Sequence, residues 1–103
     1  MAKVKPVVKQ PFESFFIAGS FAKVLTDGET IDVDKSVVVA YDKEGKEYPD
    51  LIDEPSKTVD DKQLSIRIKD GKPELSPFKV SFRAVTSANN KWEVDAPIEV
   101  QEK

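Results

Sequence analysis

The chain has 103 residues, 39% of them apolar, with sixteen Lys and Arg against nineteen Asp and Glu for a net charge of −3 and neither Cys nor His. That length supports one domain, 1–103, around one core. The missing Cys and His exclude a disulfide framework, Cys- or His-held zinc, an imidazole-activated nucleophile and a His-based pH switch.

The charges alternate in sign along the chain, so no basic footprint for a nucleic acid backbone is expected. Lys3, Lys5 and Lys9 read as a solvated terminal tail. The opening Met1-Ala2-Lys3-Val4-Lys5-Pro6 has charge but no apolar h-region. Synthesis and first use in the cytoplasm are therefore expected. No apolar run exceeds five residues, against the roughly 18 needed to span a bilayer, so no membrane partner is expected.

Seven prolines and four glycines punctuate the chain, and no window shows the 3.6-residue apolar recurrence of an amphipathic helix. Residues 1–11 read as an extended arm or a first edge strand. Segment 13–20 is apolar on both faces, with Phe15 and Ile17 against Phe16 and Ala18, which predicts a central or covered strand. Phe21 to Leu25 reads as a turn or short helical piece closing one end of the core.

Ser36 to Asp42, with Val37, Val38 and Val39, predicts a strand, and Lys43-Glu44-Gly45-Lys46 a turn. A shorter return strand over 46–53 and a brief edge piece at 57–59 follow. Leu64, Ile66 and Ile68 alternate with polar residues, and Asp70-Gly71 signals a turn. Phe78, Val80, Phe82 and Ala84 alternate in the same way.

Trp92, Val94, Ala96, Ile98 and Val100 form the apolar face of a last strand. Asn89-Asn90 can take the positive φ of a tight turn, so 77–87 and 91–101 are predicted to pair as a hairpin. Pro97 lacks an N–H and predicts an edge position or a bulge. Six or seven short strands at this spacing favour an antiparallel β-sandwich, with Phe78, Val80, Phe82, Leu64, Ile66, Ile68, Trp92 and Val94 in one dry interior.

The carboxylates suggest little chemistry. Asp27, Glu29, Asp32 and Asp34 do not follow the calcium-loop spacing; Asp34 and Ser36 read as turn initiators. Asp53-Glu54 and Asp60-Asp61 stand in loop-like sequence, too wet for the raised pKa that paired-carboxylate hydrolysis needs. No enzyme, metal or cofactor is expected. Most aromatics read as core; Tyr48, beside Pro49, is the aromatic expected to be exposed. Tyr48 and Pro97 are the residues assigned to protein contact.

One set of segments has a more specific look. Leu25-Thr26-Asp27-Gly28-Glu29-Thr30-Ile31 precedes a β-branched strand at Val37 to Val39. Later come Leu64 to Ile68, Gly71, the strand Phe78 to Ser87 and the closing Ile98-Glu99-Val100. Together these resemble a family of small phage and prophage proteins, over residues 12 to 101. The family usually carries Gly after the Thr86-Ser87 equivalent, where this chain has Asn89-Asn90. It also has a Gly-rich stretch near 71 that is reduced here.

The resemblance implies an immunoglobulin-like sandwich encoded among head and tail genes, with a virion-assembly or accessory role and no assigned molecular activity. On that reading the partners are phage head, neck or tail proteins or further copies of the chain in a ring, and the protein is virion-associated after cytoplasmic synthesis. The competing expectation is an adhesive module holding a carbohydrate or host surface group, for which an exposed aromatic such as Tyr48 or Trp92 is required.

Overall fold

The computed structural model describes residues 6–102; Lys3, Lys5 and the first part of the expected arm lie outside them. Seven strands follow in chain order: β1 (Val7–Lys9), β2 (Phe15–Ser20), β3 (Val37–Tyr41), β4 (Ile52–Asp60), β5 (Gln63–Ile68), β6 (Phe78–Val85) and β7 (Lys91–Val100). They form one sheet ordered β1-β7-β6-β3 and a second ordered β2-β5-β4. Pairing is antiparallel except for β1, which runs parallel to β7. Among the described residues there is no α-helix, only 3₁₀ turns at Pro49–Leu51 and Pro73–Leu75. The order β2-β5-β4 against β3-β6-β7 is that of strands B-E-D and C-F-G in an immunoglobulin-like sandwich.

The core follows the period-two pattern. Leu64, Ile66 and Ile68 of β5 and Phe78, Val80, Phe82 and Ala84 of β6 are 0–1% exposed. Each large side chain among them contributes about 1.5–3 kcal/mol by leaving water. The sheets approach closely where β2 crosses Phe82: a Cβ built on Gly19 would stand 2.8 Å from Phe82 Cγ.

The turns obey the residues that fill them. Val24 and Leu25 donate their N–H groups to Phe21 O, so 21–25 makes one turn that seats Phe21 and Leu25 in the core. Asn89 has φ 64, and Thr86 N–H donates to Asn90 O, closing the expected β6–β7 hairpin. Asp70 and Gly71, at φ 53 and 98, turn the chain beside Val100 and Leu51.

Several expectations are corrected. The piece foreseen at 57–59 lies inside one nine-residue strand, β4, which takes only Ile52 and Asp53 of the return strand foreseen at 46–53; the rest of that piece is a Tyr41–Glu47 bridge and a 3₁₀ turn. Pro55 cannot donate to a ladder, so the β4–β5 register shifts between Asp53 and Thr58. Ser56 repairs the gap: its hydroxyl accepts the Arg67 N–H at 2.8 Å and donates to Asp53 O at 2.6 Å. Asp53, Glu54 and Asp60 therefore lie on a strand, not in a loop.

Lys9 is 1% exposed, not a solvated tail. Its ammonium donates to the carbonyls of Gln10 and Asp70, and burial lowers its pKa against the opposing pull of Asp70 and Glu13. The turn at 32–36 is organised by Asp32, whose Oδ1 accepts the Asp34 and Lys35 N–H groups, with Ser36 Oγ donating to Asp32 O. Finally, β2 is an edge strand, neither central nor covered: Phe16 is 49% exposed on its outer face, beneath the Arg67 guanidinium at 4.7 Å.

Candidate functional site

The sheets end on β1 and β3 and on β2 and β4, and two of the open edges, those of β7 beyond β1 and of β2, lie near each other. β1 pairs with β7 only at Ile98, Glu99 and Val100, so Lys91 to Pro97 has no neighbour on that side. β2 has β5 on one side and no strand on the other.

Hydrogen bonding says which backbone groups these edges offer. Phe21 N–H donates to Lys62 O in line with the β2–β5 register. Bonding in an antiparallel pair alternates residue by residue, so Phe15, Ile17 and Gly19 bond β5 while Phe16, Ala18 and Ser20 point their N–H and C=O groups away from it. By the same alternation from the Thr86–Asn90 pair, Lys91, Glu93 and Asp95 point theirs to the open side of β7.

Natural edges are commonly blunted by charge, proline or bulges. β4, the opposite edge of the same sheet, has all three, in Asp53, Glu54, Pro55 and Lys57 and the register shift. β2 reads Phe-Phe-Ile-Ala-Gly-Ser and has neither charge nor proline, with an unbroken register to β5.

Side chains gather at this open region. Trp92 has the inward parity expected of it, opposite buried Ala84, yet is 39% exposed. It lines two grooves of about 370 Å³ each, one shared with Val37, Arg83 and Glu93, the other with Ala18, Ser20 and Val24. Val24 and Val37 are themselves 37% and 45% exposed. The dry interior foreseen for Trp92 is thus corrected: at the start of β7, beside the open edge of β2, inward parity does not mean burial.

The charged lining of the two grooves is Lys23, Lys35, Arg83 and Lys91 against the lone carboxylate Glu93. Arg83 Nε pairs with Glu93 Oε1 at 2.9 Å, while Arg83 Nη2 donates to Tyr41 OH at 2.9 Å. The Glu93 and Tyr41 hydrogen bonds raise the Arg83 pKa further. This arrangement can hold an extended chain by its backbone and an apolar side chain against indole.

The residues assigned from sequence lie elsewhere. Tyr48 is half-buried, its ring centroid 5.0 Å from that of Phe78, which corrects its expected exposure. Burial chiefly, with Asp50, Asp70 and Glu74, raises its pKa. Pro97 lies opposite Lys79 without a bulge. Its nitrogen faces the open side of β7 just before β1 begins, an edge position in all but sheet order. Pro97 also lines a third, shallow groove of about 610 Å³ with Tyr41, Lys79 and Asp95, where Lys79 Nζ stands 5.1 Å from the Tyr41 ring centroid. Tyr48 and Pro97 are not brought together at the Trp92 region. The signal for this region was the uncharged run Phe15 to Ser20, which the sequence reading took for a central or covered strand.

Glu29, weighed as a metal ligand, is 6% exposed. Its carboxylate accepts hydrogen bonds from the Thr86 hydroxyl, the Thr26 N–H at 3.0 Å, the Thr26 hydroxyl at 3.1 Å and the Asn90 amide at 3.1 Å. These donors, Thr86 foremost, hold its pKa down to about 2. No group of three or more metal-ligating side chains occurs among the described residues, and no helix there is long and apolar enough to cross a membrane. No family model matches the chain, and no curated protein matches it.

Proposed function

We propose that this chain is a non-enzymatic protein-contact module, a structural or assembly accessory of a phage or prophage particle that works by docking onto head, neck or tail proteins. The observation that supports it most is the β2 edge: six residues without charge, proline or bulge, with outward backbone groups unsatisfied by any strand. Such an edge left bare is a liability in an isolated sandwich and a binding device in an assembly. The exposed Trp92 beside it suits the same role, since aromatic anchors carry much of the energy of protein contacts.

The test is light scattering of the purified chain, alone and mixed with the products of the genes beside its own. A complex of defined stoichiometry supports the reading. A strict monomer that joins none of them refutes it, and a glycan-dependent change in Trp92 emission would favour the adhesive alternative instead.

A further inference from the structure

The contact-module reading leaves open what occupies the site, and the lining of the Trp92 grooves bears on that question. We infer that the β2 edge receives an extended, acidic segment of a partner protein as an added antiparallel or parallel strand, with one of its apolar side chains lodged against Trp92 in the groove between β2 and β7.

Three observations carry this. The first is direction: Phe16, Ala18 and Ser20 present their backbone groups outward, and Ala18 and Ser20 line the groove that Trp92 also lines. A strand paired here would lie beside that groove, and small residues leave room for its side chains.

The second is charge. The chain as a whole is acidic, at −3, yet the groove beside β2 holds Lys23 and a single carboxylate, Glu93, which is already paired with Arg83, and the adjoining groove across Trp92 adds Lys35 and Lys91. Lys23, Lys35 and Lys91 take part in no ion pair among the described residues. A local surplus of ammonium groups on an acidic protein steers toward a carboxylate-bearing partner and away from a basic one. β2 itself has no charge to oppose either.

The third is the contrast between edges. The β4 edge of the same sheet is blunted by Pro55 and charged residues, while β2 is left open, so the protection is selective.

The inference rests on the contact-module reading, and the experiment separates the two. The probe is a synthetic peptide alternating Val or Phe with Glu, titrated into the protein while the emission of its single Trp is followed. A second peptide has Lys in place of Glu. The variants are Ala18→Pro, Ser20→Pro and the double Lys23→Glu, Lys91→Glu. Both proline positions have nitrogens directed away from β5, so the fold is expected to survive, as checked by far-ultraviolet circular dichroism, and either folded proline variant suffices.

The acidic peptide should shift Trp92 emission, with affinity falling at higher salt. The proline variants and the charge reversal should each weaken it by about tenfold or more. Equal binding of the Lys peptide overturns the charge assignment, and full binding by a folded proline variant overturns the strand addition. A concentration-dependent dimer abolished by Ala18→Pro also overturns the inference, since a second copy would then fill the edge. Should neighbouring gene products bind while the acidic peptide leaves Trp92 unmoved, the inference falls and the contact-module reading stands; should neither bind, both fall.

Discussion

Thr86 donates its hydroxyl hydrogen to the carboxylate of Glu29 across a separation of 57 residues. With Asn90 on the same oxygen and Thr26 on the other, Glu29 ties the loop before β3 to the β6–β7 hairpin. One side chain thus satisfies donors from three places in the chain, and it can do so only as a carboxylate.

The pH dependence follows from the direction of its shift. The folded pKa, about 2, lies below the ordinary value of 4.5. Between those values the unfolded chain binds more protons than the folded one, so stability falls as the pH drops. The contribution is fully present above about pH 4.5 and is lost through about pH 2. Glu29→Gln should lower the melting temperature at neutral pH, because its amide NH₂ meets donors. It should also flatten the decline over that acid window in thermal melts, and an equally steep decline in the variant would contradict the role assigned to Glu29.

Ser56 offers a test of the bulge. Ser56→Ala removes the acceptor of the Arg67 N–H and the donor to Asp53 O. The expected cost is about 1–3 kcal/mol, the penalty for a polar group left unpaired in a partly buried ladder. Urea denaturation should show a lower midpoint with unchanged slope.

Two glycines with similar backbone angles should respond differently to alanine. Gly45 has φ 84 and open space around the position of a Cβ, whereas at Gly71, with φ 98, the Cβ would stand 2.9 Å from Val100 Cγ2 and 3.1 Å from Leu51 Cδ1. Gly45→Ala should cost about 1–2 kcal/mol from backbone strain alone. Gly71→Ala should add about 1–3 kcal/mol of overpacking to that strain. Paired denaturation curves would show the order, and equal costs would contradict the crowding at Gly71.

Trp92 reports its own environment. At 39% exposure its emission should be red-shifted relative to a buried indole and quenched by iodide in the native state. A blue-shifted, unquenched signal would mean that Trp92 belongs to the interior.

The central strands were legible because their burial is a local property of the chain. Leu64 to Ile68 and Phe78 to Ala84 alternate strictly, and both strands have a neighbour on each side, so parity predicts which of their apolar side chains are dry, though not that Ser81 on the opposite face is buried too. Asn89 and Gly71 were legible for a similar reason, as residue types suited to positive φ. Parity also placed Trp92 on the correct side of β7, but not its exposure, which depends on its place beside the open edge of β2. The candidate contact region was misread for the same cause: an apolar strand such as Phe15 to Ser20 has one appearance in sequence whether a neighbour covers it or not.

By itself, then, the sequence determined an all-β chain without thiol or imidazole chemistry, the alternation of its central strands and the residues that could turn between them, since each depends on residue type and spacing over a few positions. Only the tertiary structure decided that Lys9 is buried, that Glu29 joins Thr86 and Asn90, that Ser56 completes a broken ladder and that β2 and most of β7 have open edges. Each of those depends on which distant segment stands opposite, and strand order is a property of the assembled sheets that no local pattern encodes.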